Sequence, residues 1–148
     1  MLINVKNRKL YQKKSIKDLK ILLVEDNELN MEIAEFVIQN EGASVTKAWN
    51  GQEAVEIFKK SRQDEFDVIL MDIMMPIKNG YEAAKMIRAL DRDDAKTVPI
   101  IAMTANAFTE DRLKSKESGM NEHIAKPIDA KLLVKVISEF VENKEEDS

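Results

Sequence analysis

Three stretches of the chain are apolar without alternation: Ile21-Leu22-Leu23-Val24, Val68-Ile69-Leu70-Met71 and Val98-Pro99-Ile100-Ile101-Ala102-Met103. Unbroken apolar runs of this length suit strands buried on both faces, as in a parallel sheet covered by helices. Pro99 is tolerable near the start of its strand, and Pro76 forbids the central one from simply continuing. Residues 43–48 form a weaker strand candidate, less apolar and so suited to an edge. Residues 122–125 make a fifth.

Between the strands the apolar spacing becomes helical. Asn27 is read as the cap of a helix running to residue 40, with Leu29, Ile33, Phe36 and Val37 on one face, the apolar face expected to meet the core. Gly42 supplies a left-handed stop. Asn50 caps a second helix whose Ala54, Val55 and Phe58 share a face. Asn79-Gly80 marks a turn into a third over residues 81–90, with Ala84 and Ile87 inward. Residues 91–97 read as a polar loop. Thr109, Glu110, Asp111 and Arg112 open a short polar helix that stops at Gly119. Asp129 caps a last one whose Leu132, Leu133, Val136, Ile137 and Phe140 face inward. Strand and helix thus alternate five times, which predicts a doubly wound α/β sheet with right-handed crossovers. The expected fold is flavodoxin-like, (βα)5, with a parallel sheet of strand order 2-1-3-4-5. A single domain is expected over 20–141, with a basic lead-in at 1–19 and an acidic tail at 142–148.

Composition narrows the chemistry. The 148 residues include no cysteine and one histidine, His123. Disulfides, thiolate metal sites and multi-histidine sites are therefore excluded, and oxygen ligands for a hard cation remain. No apolar run approaches the ~20 residues needed to span a bilayer, and the first twenty residues lack the apolar stretch of a signal peptide. A cytoplasmic protein is expected. The lead-in carries Lys6, Arg8, Lys9, Lys13, Lys14, Lys17 and Lys20 against Asp18. With no aromatic interleaving beyond Tyr11 it reads as a solvated linker or flanking helix, so neither nucleic acid nor membrane contact is expected.

The strand ends carry the candidate chemistry. Glu25 and Asp26 follow the first strand, Asp72 the third, Thr104 the fourth and Lys126 the fifth. In order 2-1-3-4-5 the first and third strands are neighbours, so their three carboxylates converge at the edge where open α/β sheets bind ligands. Clustered carboxylates repel one another unless a cation intervenes, and Mg²⁺ is the natural one. Lys126 offers a compact positive charge and Thr104 a hydroxyl, together able to hold a phosphoryl oxygen.

Val24-Glu25-Asp26-Asn27, Met71-Asp72-Ile73-Met74-Met75-Pro76 with Asn79-Gly80, Met103-Thr104-Ala105 and Lys126-Pro127 resemble the signature segments of response regulator receiver domains. The resemblance covers residue 20 to about 141. It implies that Asp72 accepts a phosphoryl group from phosphohistidine on a histidine kinase or histidine phosphotransfer domain. It also implies Mg²⁺ on Asp26, Asp72 and the backbone carbonyl of Met74, with Glu25 acting through a metal-bound water. Thr104 and Lys126 would bind phosphoryl oxygens, and the Lys126-Pro127 bond would be cis. Thr104-Ala105-Asn106-Ala107-Phe108 and the stretch from Gly119 to Pro127 resemble receivers at the end of hybrid histidine kinases, the lead-in then being a linker remnant. His123 stands where the family usually has Tyr or Phe, and is expected as a switch residue near the helix before Gly119. The competing expectations are a freestanding regulator, a docking module that takes no phosphate, and a small Mg²⁺-dependent phosphatase. The last lacks the cap insertion such enzymes usually carry.

Overall fold

The structure, a computed structural model, describes residues 15–75, 77–105 and 112–146. Five parallel strands form one sheet: β1 (Lys20–Val24), β2 (Ser44–Ala48), β3 (Val68–Asp72), β4 (Ile100–Thr104) and β5 (Glu122–Ala125). Their order is β2-β1-β3-β4-β5, as the alternation predicts. The helices are α1 (Glu28–Asn40), α2 (Gly51–Lys60), α3 (Gly80–Arg88), α4 (Asp93–Thr97), α5 (Arg112–Glu117) and α6 (Ala130–Glu146).

The unbroken apolar runs are explained by two cores, one on each face of the sheet. Leu22, Val24, Ile69 and Met71 point to the side covered by α2 and α3, where Phe58, Tyr81 and Ile87 meet them. Ile21, Leu23, Val68 and Leu70 point the other way, towards Met31 and Ile38 of α1 and Leu133 and Ile137 of α6. Successive strand residues therefore serve opposite cores, and neither face tolerates a polar side chain. Ile16, fully buried, belongs to the second core, so the packed unit takes in chain ahead of β1. Residues 1–14 and 109–111, and with them the start expected for the helix before Gly119, lie outside the described residues.

Asparagine starts three helices as its capping chemistry requires. The Asn27, Asn50 and Asn79 side chains accept from the amides of Asn30, Glu53 and Glu82 at 2.9, 2.8 and 2.9 Å. Gly42 ends the turn after α1 with φ of 91°, the left-handed geometry expected of it.

Three expectations are corrected. The inward face of α1 is Met31, Ala34 and Ile38, with Val37 partly buried. Leu29, Ile33 and Phe36 face outward, exposed by 64%, 39% and 70%. Apolar residues cover more than one face of this helix, and its orientation is decided by which face fits the gap over β1 and β3. In α6, Leu132 is likewise exposed, while Leu133, Val134 and Ile137 are buried. The supposed loop at 91–97 contains the short helix α4, tied down by Arg92. Its guanidinium donates to the Phe58, Ser61 and Arg62 carbonyls at 2.8–2.9 Å and to Asp94 at 2.7 Å, and lies 4.8 Å over the Phe58 ring.

Candidate functional site

Parallel strands deliver their carboxyl ends to one edge, and the sheet order places β1 between β2 and β3 there. The Glu25 amide donates to Ala48 O at 3.1 Å and the Lys126 amide to Thr104 O at 2.8 Å, knitting adjacent strand ends together. The turn after β3 folds back tightly: the Gly80 amide donates to Ile73 O at 3.0 Å. A Cβ at Gly80 would lie 2.6 Å from the Asp72 carbonyl oxygen, so only glycine lets α3 begin so close to the acid-bearing strand.

Glu25, Asp26 and Asp72 converge as the strand order predicts, one ligand oxygen from each lying within 4.8 Å of the others. Glu25 and Asp72 are buried and Asp26 is exposed, so the cluster opens to solvent on one side. Lys126 Nζ sits between the buried pair, 3.2 Å from Asp72 Oδ2 and 3.4 Å from Glu25 Oε2. Asp72 Oδ1 accepts from the Met74 amide at 3.1 Å, which fixes the carboxylate plane. Met74's side chain is 73% exposed at the rim. Thr104 is buried at the end of β4, beside the end of β3. The Lys126-Pro127 bond is cis, in agreement with expectation.

Burial and the neighbouring Asp72 charge push the Glu25 carboxyl up to about 7, against the pull of Lys126. Burial also raises Asp72, which Lys126 and the Met74 amide partly counter. Lys126 is disfavoured by burial, but the two carboxylates outweigh this and raise it above its ordinary value. Glu25 therefore retains in the folded state a proton that the unfolded chain gives up near 4.5. Where the folded state binds more protons, stability falls as pH rises. In metal-free buffer, urea unfolding is expected to show stability declining between about pH 5 and 7. Glu25→Gln, which cannot titrate, should flatten that decline, and an unchanged slope would contradict the assignment.

His123 lies at the outer strand, half-buried, its Nε2 2.6 Å from the Oγ of buried Ser115 on α5. It stands near the helix expected of it and away from the carboxylates. Sequence reasoning missed Ser115, since a serine within a polar helix carries no signal of a partner eight residues on.

A five-stranded parallel sheet with an acidic cluster and an opposing lysine at its carboxyl edge is the architecture of a phospho-acceptor module. Residues 21–138 match the family model for the response regulator receiver domain. The chain belongs to that family and is a receiver domain of two-component signalling. It is 38% identical over 121 residues, 80% of its length, to hybrid signal transduction histidine kinase I of Dictyostelium discoideum. It spans only 7% of that protein, and 13% and 5% of two other histidine kinases from Arabidopsis thaliana and D. discoideum. Among solved structures it is similar to the receiver domain of sensor histidine kinase PA1611 from Pseudomonas aeruginosa, which holds a magnesium ion in its active-site cleft. Identity there is 37% and the TM-score 0.75, covering 84% of this chain and 98% of that one. It is also similar to a Saccharomyces cerevisiae receiver, that of Ssk1, solved with the histidine phosphotransfer protein Ypd1 (32% identity, TM-score 0.71, 84% and 89% covered). Among the described residues no helix is long and apolar enough to cross a membrane.

Proposed function

We propose that Asp72 accepts a phosphoryl group from phosphohistidine on a histidine kinase or histidine phosphotransfer protein, and that the domain serves in the cytoplasm as the receiver of a hybrid histidine kinase. The observation that carries this reading is the buried Asp72 carboxylate facing Lys126, with Glu25 and Asp26 within metal-sharing distance. In the transfer an Asp72 oxygen bonds to phosphorus as the P–N bond of the phosphoimidazole breaks. The imidazole nitrogen leaves with the bonding pair. Positioning and charge neutralisation then carry the catalysis. Lys126 and the Thr104 hydroxyl take up the phosphoryl oxygens, and the Met74 amide orients the acceptor.

The site fits Mg²⁺: the donors are all oxygen, and burial raises both Glu25 and Asp72, with the Asp72 charge adding to the rise at Glu25, a cost that a hard dication relieves. Asp26, Asp72 and the Met74 carbonyl would hold it directly and Glu25 through a water. When bound it neutralises charge on acceptor and phosphoryl oxygens. Treatment with acetyl phosphate and Mg²⁺ should give a base-labile mass adduct that maps to Asp72. An adduct elsewhere, or catalytic turnover of external phosphate esters without one, would reject the reading. Calorimetry should show weak Mg²⁺ binding that Asp26→Ala largely removes; equal affinity in the mutant would exclude this ligand set.

The outward face of α1 supports a protein donor over a small molecule. Its first turn follows Asp26 directly, so Leu29, Ile33 and Phe36 extend apolar surface away from the rim of the cleft. Contiguous exposed apolar side chains mark protein contact sites. Phe36→Asp should slow transfer from a phosphohistidine protein by about tenfold or more while acetyl phosphate labelling stays normal. Loss of both would place Phe36 in the fold instead.

A further inference from the structure

At the opposite end of β5 from the carboxylates lies an open cavity of about 690 Å³, walled by the ends of α3, α4 and α5 and by residues 119–123. Its charge is one-sided. Arg88, Lys96 and Lys116 line it against a single carboxylate, Glu122, whose Oε1 is engaged by the His123 amide at 2.9 Å. Arg88 donates to Gly119 O at 2.8 and 3.0 Å, to Ala95 O at 3.0 Å and to Asn121 Oδ1 at 3.0 Å. Lys96 donates to Arg88 O and Leu90 O at 2.6 and 3.0 Å. These partners are carbonyl and amide oxygens that carry partial charges only; among the described residues no carboxylate forms an ion pair with either cation. Burial lowers Arg88 below its ordinary pKa. This concentration of positive charge sits on a protein of net charge −4.

We propose that the cavity receives an acidic segment of a partner protein. The three cations come from three different helices around the buried side of Met120. Such spacing suits carboxylates distributed along a peptide with an apolar residue between them, whereas a compact anion would need donors converging on one point. The site is independent of phosphoryl chemistry at Asp72. It is connected to that end of the domain, because Ser115 and His123 line the cavity and their hydrogen bond ties α5 to β5. Occupancy would bear on the helix that follows the Thr104 strand.

The test uses the full chain and a fluorescent peptide of glutamates flanking a central leucine at low salt, read by anisotropy and by amide shifts. Lys116→Glu reverses an exposed charge without disturbing the helix-end contacts of Arg88 and Lys96. Lys60→Glu on α2 is the control, since both variants change net charge equally. Saturable binding is expected, with shifts at Ser115, Gly119, Asn121 and His123, about tenfold weaker for Lys116→Glu and unchanged for Lys60→Glu. No saturable binding, equal loss in both variants, or shifts confined to another face would overturn the proposal. Orthophosphate moving the same amides as fully as the peptide would also overturn it, showing a free-anion site.

Discussion

Lys126→Ala will leave the domain folded yet slow phosphoryl uptake at Asp72 by about 10²-fold, the scale seen when one donor to a developing charge is removed. The fold survives because the side chain is 21% exposed and contacts two carboxylates, not the cores. With the cation gone, Glu25 and Asp72 face each other at closer to full repulsion, and both carboxyls rise further. They can escape by protonation, so the cost falls on function more than on stability. Protonated Asp72 is a poor nucleophile, and the phosphoryl oxygens lose their fixed positive partner. The same variant should lose the conformational response. Beryllofluoride, a phosphoryl mimic, should shift amides across residues 112–124 in the wild type and leave them largely unmoved in Lys126→Ala. A wild-type shift pattern in the variant would show that the signal passes by another route.

Strand positions and the acidic cluster are legible in the sequence for one physical reason. A strand buried on both faces must be apolar at every position, so a carboxylate at its end stands out, as Asp72 does after Met71. Parallel order then brings Glu25, Asp26, Asp72 and Lys126 to one edge without further information. The face of α1 is not legible, because Leu29, Ile33 and Phe36 are as apolar as Met31, Ala34 and Ile38. Periodicity measures amphipathicity, and a helix that packs on one side while presenting apolar surface on the other has little. The error is informative: the residues placed wrongly are those the proposed donor surface uses. Residues 91–97 were unreadable for a different reason. Arg92 and Asp94 look like solvated loop residues, and the carbonyls that Arg92 engages lie some thirty positions earlier, at the end of α2.

That node should be the most costly polar position to disturb. Asp94 is buried to 3% side-chain exposure and pairs with Arg92 at 2.7 Å, while its Oδ2 also accepts the Asp64 amide at 2.9 Å. Arg92→Ala strands a buried carboxylate, frees the carbonyls that end α2, and uncovers the Phe58 ring. Breaking a buried pair from one side costs about 3–5 kcal/mol, and urea unfolding should show a loss of that order. The pH profile separates the ion pair from the lost packing. The hydrogen bond from Arg92 holds the Asp94 carboxyl below the usual carboxylate range. Its stabilisation is therefore present above the ordinary aspartate pKa and disappears as pH falls through the depressed one. In Arg92→Ala burial acts without the guanidinium, Asp94 titrates higher, and the deficit against wild type should shrink as both proteins are acidified. A deficit constant from neutral pH to acid would mean that Arg92 acts by covering Phe58 alone, and the charge pair would have no part in holding α4 to α2.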